Sequence, residues 1–250
     1  MDKFNLKNKT ILITGASSGI GRACAVEISQ MGANCILVGR NLAELQKTKE
    51  LCLNHTTIIL ADLTNDTEIK KIITEVYQIN GIVHSAGIIS PKPIKFLKTE
   101  NIREIFEINF NAPVLLTSAL LQGNKIANES SIVFLSSISS KFPYFGGAVY
   151  VSSKAALEAF SKTLAIEVSQ RKIRSNVLQP GLVETQMLDK TKQAAGDKNF
   201  AIYENKYPLG FGKPEDVANA VCFLLSNEAK WITGSELKMD GGLLINGMSK

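Results

Sequence analysis

TILITGASSGIGRACAVEISQMG, residues 10 to 32, opens with an apolar run at Ile11, Leu12 and Ile13, long enough for a buried strand and too short for a helix. The chain then turns through residues 14–21. Helix formers follow, with apolar residues at Ile20, Cys24, Ile28 and Met31 in steps of three and four, and Gly32 closes the segment. Strand, glycine turn and helix make the first half of a βαβ unit. Gly15, Gly19 and Gly21 let the backbone turn tightly, approach a ligand closely and pack the helix on the sheet. The helix N-terminus offers unpaired N–H groups and a positive dipole end, which is the chemistry of a phosphate site. A glycine-rich turn alone can be an ordinary tight turn. Its place between a strand and a helix near the N-terminus favours phosphate binding.

Working outward, strands are expected at residues 34–39, 57–60, 81–84, 131–135, 173–178 and 236–239. Helices are expected at 41–53, 65–78, 99–121, 150–169 and 214–225, with Asn41 as a cap and Pro214 in a first turn. Strands alternating with helices predict an α/β fold, a doubly wound, mainly parallel seven-stranded sheet covered on both faces. No repeat or linker divides the chain, so a single Rossmann-type domain over 1–250 is expected. Residues 182–207 are polar and poorly periodic and read as a substrate lid. Ligands of such sheets bind beyond the strands' carboxyl ends. The residues at 14–21, Gly39-Arg40, Asp62-Leu63, 84–87, Ser136-Ser137 and Pro180-Gly181 should therefore line one crevice, where a dinucleotide would lie.

Of the 250 residues, 45% are hydrophobic and 20% charged, enough for a substantial core. The formal net charge is +5, spread without any block of like charge, so no nucleic-acid partner is indicated. Cys24, Cys35, Cys52 and Cys222 form no metal-ligand pattern and lie in apolar stretches, so reduced core thiols and no metal are expected. The opening MDKFNLKNK has no hydrophobic signal region, and no apolar run nears ~18 residues. A cytoplasmic protein with no membrane partner is expected.

Tyr150 and Lys154 stand four residues apart on one helix face. An ammonium near a phenol favours the phenolate, which would make Tyr150 a proton donor or acceptor for an alcohol or carbonyl. Such a pair also arises by chance on amphipathic helices. Ser137, at a strand end, has a hydroxyl able to bond a substrate oxygen, though Ser136, Ser139 and Ser140 compete with it. His84 reads as a packing residue and His55 as a loop residue.

Together, TGASSGIG, the Ser137–Tyr150 separation, YxxxK and Pro180-Gly181 resemble the short-chain dehydrogenase/reductase family. So do Asp62-Leu63, Asn109 in IFEINF, PLGFGKPEDVANAV and ITGSELKMDGG, nearly end to end and in register. The resemblance implies a nicotinamide-dependent oxidoreductase in which Tyr150 is the general acid or base and Ser137 polarises the substrate oxygen. It implies that Lys154 holds the nicotinamide ribose and tunes Tyr150, and that Asn109 positions a water. Cofactor contacts are implied for Gly15, Ser17, Ser18, Gly19, Ile20, Gly21, Asp62, Leu63, Ser85, Ala86, Gly87, Tyr150, Lys154, Pro180, Gly181, Val183 and Thr185. The family usually has Asn-Asn-Ala-Gly where this chain has His84-Ser85-Ala86-Gly87, and often Asp where it has Asn80.

NAD-binding folds commonly place a carboxylate ~20 residues beyond the glycines, on the adenosine 2′-hydroxyl. Here the sequence is Val38-Gly39-Arg40-Asn41. Arg40 suits a 2′-phosphate instead, so NADP(H) is expected over NAD(H), with Asp62 accepting from the adenine amino group. Within the family the pattern is similar to 3-oxoacyl-carrier-protein reductases, which implies a ketone or 3-oxoacyl substrate, with acyl-carrier protein as a candidate carrier. Arg171 matches one carrier-facing basic position, whereas Asn128-Glu129 replaces the other. Phe142, Tyr144 and Phe145 suggest an apolar wall, equally suited to a sugar or polyol. Substrate information is also expected at residues 91–98. A non-catalytic NADP(H) sensor or scaffold is the rival class, and the helices from Thr99 and Tyr150 suggest a homotetramer or homodimer.

Overall fold

The computed structural model describes residues 4–188 and 204–246, so the central part of the expected lid, residues 189–203, lies outside the described residues. Seven strands form one sheet in the order β3-β2-β1-β4-β5-β6-β7, and every neighbouring pair is parallel. They are β1 (Thr10–Thr14), β2 (Asn34–Gly39), β3 (Thr56–Leu60), β4 (Ile79–His84), β5 (Ile126–Leu135), β6 (Arg174–Pro180) and β7 (Glu236–Met239). The longer helices among the described residues are α1 (Gly19–Gln30), α2 (Leu42–Leu51), α3 (Asp66–Glu75), α4 (Thr99–Phe106), α5 (Ala112–Gln122), α6 (Ala148–Glu167) and α7 (Pro214–Leu225). The doubly wound Rossmann expectation holds, with the reversal of strand order between β1 and β4.

Alternation along β1 builds both faces at once. Ile11 and Ile13 point into a core with Cys24 and Ile28 of α1 and Val217 and Val221 of α7. Leu12 points the other way, into a core with Ile72, Leu116, Leu120, Leu157 and Leu164 from α3, α5 and α6. Caps set the starts of two helices: Asn41 Oδ1 accepts from Glu44 N at 3.2 Å, and Asn65 Oδ1 accepts from Thr67 N at 2.9 Å. Asn80 Oδ1 accepts from Thr10 N at 2.9 Å, beside an irregularity in the β4–β5 register.

Strand β5 begins at Ile126 rather than 131, and α6 begins at Ala148 rather than 150. Both ends of the expected lid are anchored rather than loose. Val183 bridges Gly212, Tyr207 is buried, and its hydroxyl accepts from Leu182 N at 3.1 Å. Leu188, Tyr207 and Phe211 share a small apolar cluster. No helix among the described residues is long and apolar enough to cross a membrane.

Candidate active site

A cleft of about 570 Å³ opens at the reversal of strand order. Gly15, Ser17, Ser18, Ile20 and Gly21 form its floor, Arg40, Asp62 and Leu63 one end, and Ser85, Ala86, Gly87 and Thr185 the facing side. The glycines are sterically required. Gly15 has φ +65°, and a Cβ there would lie 2.8 Å from the Ala86 backbone; a Cβ on Gly21 would lie 2.2 Å from Gly15 O. Gly21→Ala is therefore expected to cost about 1–3 kcal/mol, read as a lower midpoint in urea denaturation. Ser18 makes no side-chain cap bond, so the first N–H groups of α1 have no side-chain acceptor from that residue.

The glycine bend is braced from behind. Arg22 donates through Nε to Thr48 Oγ1 at 3.0 Å, pairs with Glu44 Oε2 at 2.7 Å and donates to Ser17 O. Thr48 Oγ1 in turn donates to Ala16 O at 2.9 Å. Gly19 stands just outside the cleft wall, against Thr185.

The expected single crevice needs correction at several positions. Thr14, Ala16, His84 and Ser136 are buried. Thr14 Oγ1 instead accepts from Ser85 N and Ala86 N at 3.1 and 3.2 Å, fixing the turn after β4. Pro180, Gly181 and Val183 do not line the cleft: Gly181 packs on Tyr207, and Val183 faces the core. Conversely, Thr64, Ile88, Ile89, Pro91, Ile108, Ala112, Gln186 and Met187 do line it. Of these, Thr64, Ile88 and Ile108 neighbour residues that the motifs marked, Pro91, Gln186 and Met187 fall in the two segments expected to carry substrate information, and Ile89 and Ala112 carry no such signal.

At one end the Arg40 guanidinium is 64% exposed and 3.6 Å from Asp62 Oδ2. Burial works against the Asp62 carboxylate, yet donation from Thr64 N and Oγ1 at 3.0 and 2.8 Å, with Arg40 alongside, holds its pKa below the usual carboxylate value.

Ser137, Tyr150, Lys154 and Asn109 meet beyond Gly87, where a Cβ would lie 3.3 Å from Asn109 Oδ1 and 3.4 Å from Lys154 Nζ. Ser137 Oγ accepts from Ser139 N at 3.2 Å and Ser139 Oγ at 3.0 Å. The Tyr150 phenol stands beside this Ser137 hydroxyl. Burial pushes the Tyr150 phenol up to about 12, and the Ser137 bond pulls it back.

The expected direct tuning of Tyr150 by Lys154 takes a different form. Lys154 Nζ donates to Leu135 O at 2.8 Å and lies 5.8 Å from the Tyr150 ring centre. Burial lowers Lys154 to about 8, opposed by the Glu158 carboxylate one turn further along α6. Glu158 Oε1 accepts from Ser136 Oγ at 2.6 Å and Gln179 Nε2 at 2.9 Å, and Oε2 pairs with Lys141 at 3.0 Å.

Asn109 belongs to a wide π-helical turn, Glu107–Asn111, joining α4 to α5. Its Oδ1 accepts from Ile88 N at 2.8 Å, and its Nδ2 donates to Ile88 O at 3.0 Å and Ser153 Oγ at 3.2 Å. The side chain clamps the loop after β4.

His84 packs flat on Phe134 with ring centres 4.7 Å apart, and its Nε2 meets Thr117 Oγ1 at 2.9 Å. Burial lowers it to about 3, so the folded protein holds it neutral while an unfolded chain takes up a proton below about 6.5. Its contribution to stability is therefore lost as pH falls through that window. Between pH 6.5 and 5, wild type should lose about 2 kcal/mol more than His84→Asn, measured by urea unfolding at each pH.

Of the expected aromatic wall, Tyr144 is close to Tyr150, and burial first, then that neighbour, push its phenol pKa up. Its hydroxyl is buried without a hydrogen-bond partner. Phe142 and Phe145 are exposed instead. Arg171 is also not free for a carrier: it donates to Asn128 Oδ1 at 3.1 Å and to Ile126 O.

A parallel sheet with a glycine bend at its switch point, and a serine, tyrosine and lysine gathered beside it, define the class of dinucleotide-dependent oxidoreductases. A family model described as Enoyl-(Acyl carrier protein) reductase matches residues 15–244. The 3-oxoacyl-[acyl-carrier-protein] reductase of Rickettsia felis is 34% identical, over 97% of this chain and 99% of its own. L-xylulose reductase of Caenorhabditis elegans is also 34% identical, over 97% and 98%. A putative NAD(P)-dependent gluconate 5-dehydrogenase from Beutenbergia cavernae, solved with NADP at low occupancy, is 28% identical with a TM-score of 0.89, over 98% and 100%. The chain belongs to the short-chain dehydrogenase/reductase family and is an oxidoreductase.

Proposed function

We propose that this protein interconverts a ketone or 3-oxoacyl group and a secondary alcohol with NADP(H), using Tyr150 as general acid in reduction and general base in oxidation. The convergence of the Ser137 and Tyr150 hydroxyls beside Lys154, next to the glycine-floored cleft, carries this reading.

The cleft suits a dinucleotide: Gly15 and Gly21 let the bend close tightly on itself and on the Ser85-Ala86 turn, where any Cβ would collide, and the exposed Arg40 suits a 2′-phosphate. When bound, the cofactor supplies or accepts the hydride. Ser137 orients the substrate oxygen, Tyr150 gives it the proton as negative charge develops, and the Lys154 ammonium stabilises the phenolate left behind. Lys154 and the turn at Ser85, Ala86 and Gly87 hold the nicotinamide half. Asn109 keeps that turn in place and positions a water behind Lys154. Asp62 and Leu63 receive the adenine.

The family relatives named for 3-oxoacyl-carrier-protein reduction support a 3-oxoacyl thioester as first choice. A sugar or polyol is the second reading, favoured by the engagement of Arg171 with Asn128. Steady-state assays with NADPH decide between them. Turnover of an acetoacetyl thioester supports the first; its absence beside good turnover of L-xylulose or a related polyol couple reverses the order. The non-catalytic sensor reading falls if either turns over.

The single domain, the substrate lid and a cytoplasmic location belong to the same proposal. Exposed Ile102 on α4, Leu115 on α5 and Ile166 on α6 support a homotetramer or homodimer through those helices. Sedimentation of the full chain tests it, a monomer at micromolar concentration counting against it.

A further inference from the structure

Four thiols gather on the α1 side of the sheet: Cys24 on α1, Cys35 on β2, Cys52 at the end of α2 and Cys222 on α7. All are free. Cys24, Cys35 and Cys222 are buried, and only Cys52 keeps appreciable contact with solvent. Cys35 and Cys52 aim at one point: their Sγ atoms contact the same acceptor, Ala25 O, at 3.5 and 3.6 Å. Sharing one acceptor makes the two thiols neighbours. Cys52 Sγ further meets Thr48 O at 3.3 Å.

We propose that Cys52 and Cys35 form a peroxide-oxidisable dithiol, Cys52 reacting first and Cys35 resolving it, which closes to a disulfide stapling the end of α2 to β2. The feature goes beyond the oxidoreductase chemistry, because neither thiol lies in the cleft. The neighbouring Cys35 thiol, with help from Thr56 and Ser29 against burial, lowers the Cys52 thiol to about 7, giving a thiolate fraction near neutrality. The same pairing, together with burial, pushes Cys35 up.

The oxidant is a hydroperoxide. The Cys52 thiolate attacks its outer oxygen, the O–O bond breaks, and Cys52 becomes a sulfenic acid while the departing oxygen takes a proton. Cys35 then gives up its proton as its sulfur attacks Cys52 Sγ. The S–O bond breaks, and hydroxide leaves with that proton as water. With hydrogen peroxide the sum is two thiols and one peroxide to one disulfide and two waters. The segment so closed contains Arg40 and Thr48, so the crosslink would sit directly behind the braced glycine bend.

The test treats the full chain with hydrogen peroxide, blocks remaining thiols with an alkylating reagent and reads intact mass and peptides. Two alkylations fewer than in the reduced protein, with a crosslinked peptide joining Cys35 to Cys52, is the expected result. In Cys35→Ser, a sulfenic acid at Cys52 should be trapped by dimedone, and Cys52→Ser should form no crosslink. The proposal is overturned if every thiol stays alkylatable or if the link joins Cys24 to Cys222. Cys52 in the wild type running on to sulfinic acid with Cys35 still free overturns it equally.

Discussion

Tyr150→Phe lowers kcat for carbonyl reduction by about 10²–10⁴-fold, the span a positioned general acid contributes, while the dissociation constant for NADPH stays within a few-fold. The split follows from the contacts. Phenylalanine keeps the ring against its neighbours, and Lys154 keeps its bond to Leu135 O, so the cofactor side is undisturbed. What disappears is the one acidic proton held opposite Ser137. Because burial sets the phenol near 12, it stays protonated through the neutral range and serves as donor in the direction of reduction. Lys154→Ala should lose both rate and cofactor affinity, which distinguishes the two roles. Full activity in the phenylalanine variant would remove Tyr150 from the mechanism.

The second large effect concerns cofactor choice. Arg40→Ala should raise the KM for NADPH about 10–100-fold, as expected for losing a charge-assisted bond to a phosphate, and leave the KM for NADH nearly unchanged. Asp62 explains why the margin is not larger. It already shares the guanidinium at 3.6 Å, so wild-type Arg40 must divide itself between a carboxylate and the incoming phosphate. Steady-state kinetics with both nucleotides reads this directly, and an equal loss with each would assign Arg40 to general surface charge.

Local chemistry in the sequence foretold much of the architecture. The apolar run Ile11-Leu12-Ile13, the cap Asn41 and the first-turn Pro214 all act over a few residues, and each marks the element expected from it. The start of β5 was less legible because Ala127, Asn128, Glu129 and Ser130 are mostly polar and lie in the irregular stretch between the pairings of Ile126 and Ser131, with Glu129 at φ +62°. Long-range partners were not legible at all. The spacing of Tyr150 and Lys154 gives a shared face, but nothing in it says that Nζ reaches a carbonyl on β5. Arg171 reads as a free cation until Asn128 is folded beside it, and nothing near Glu158 in the chain marks Ser136 and Gln179 as its partners.

The π-helical turn at Glu107–Asn111 places a limit on insertions and deletions. Each residue added to or removed from a helix swivels everything after it by about 100° around the axis. Losing a single position there would carry Ala112, Leu116 and Leu120 off their buried side and swing the Asn109 amide away from Ile88. Side chains in that turn can drift, but the count between Phe106 and Ala112 behaves as a fixed gear ratio between the outer helix pair and the nucleotide pocket.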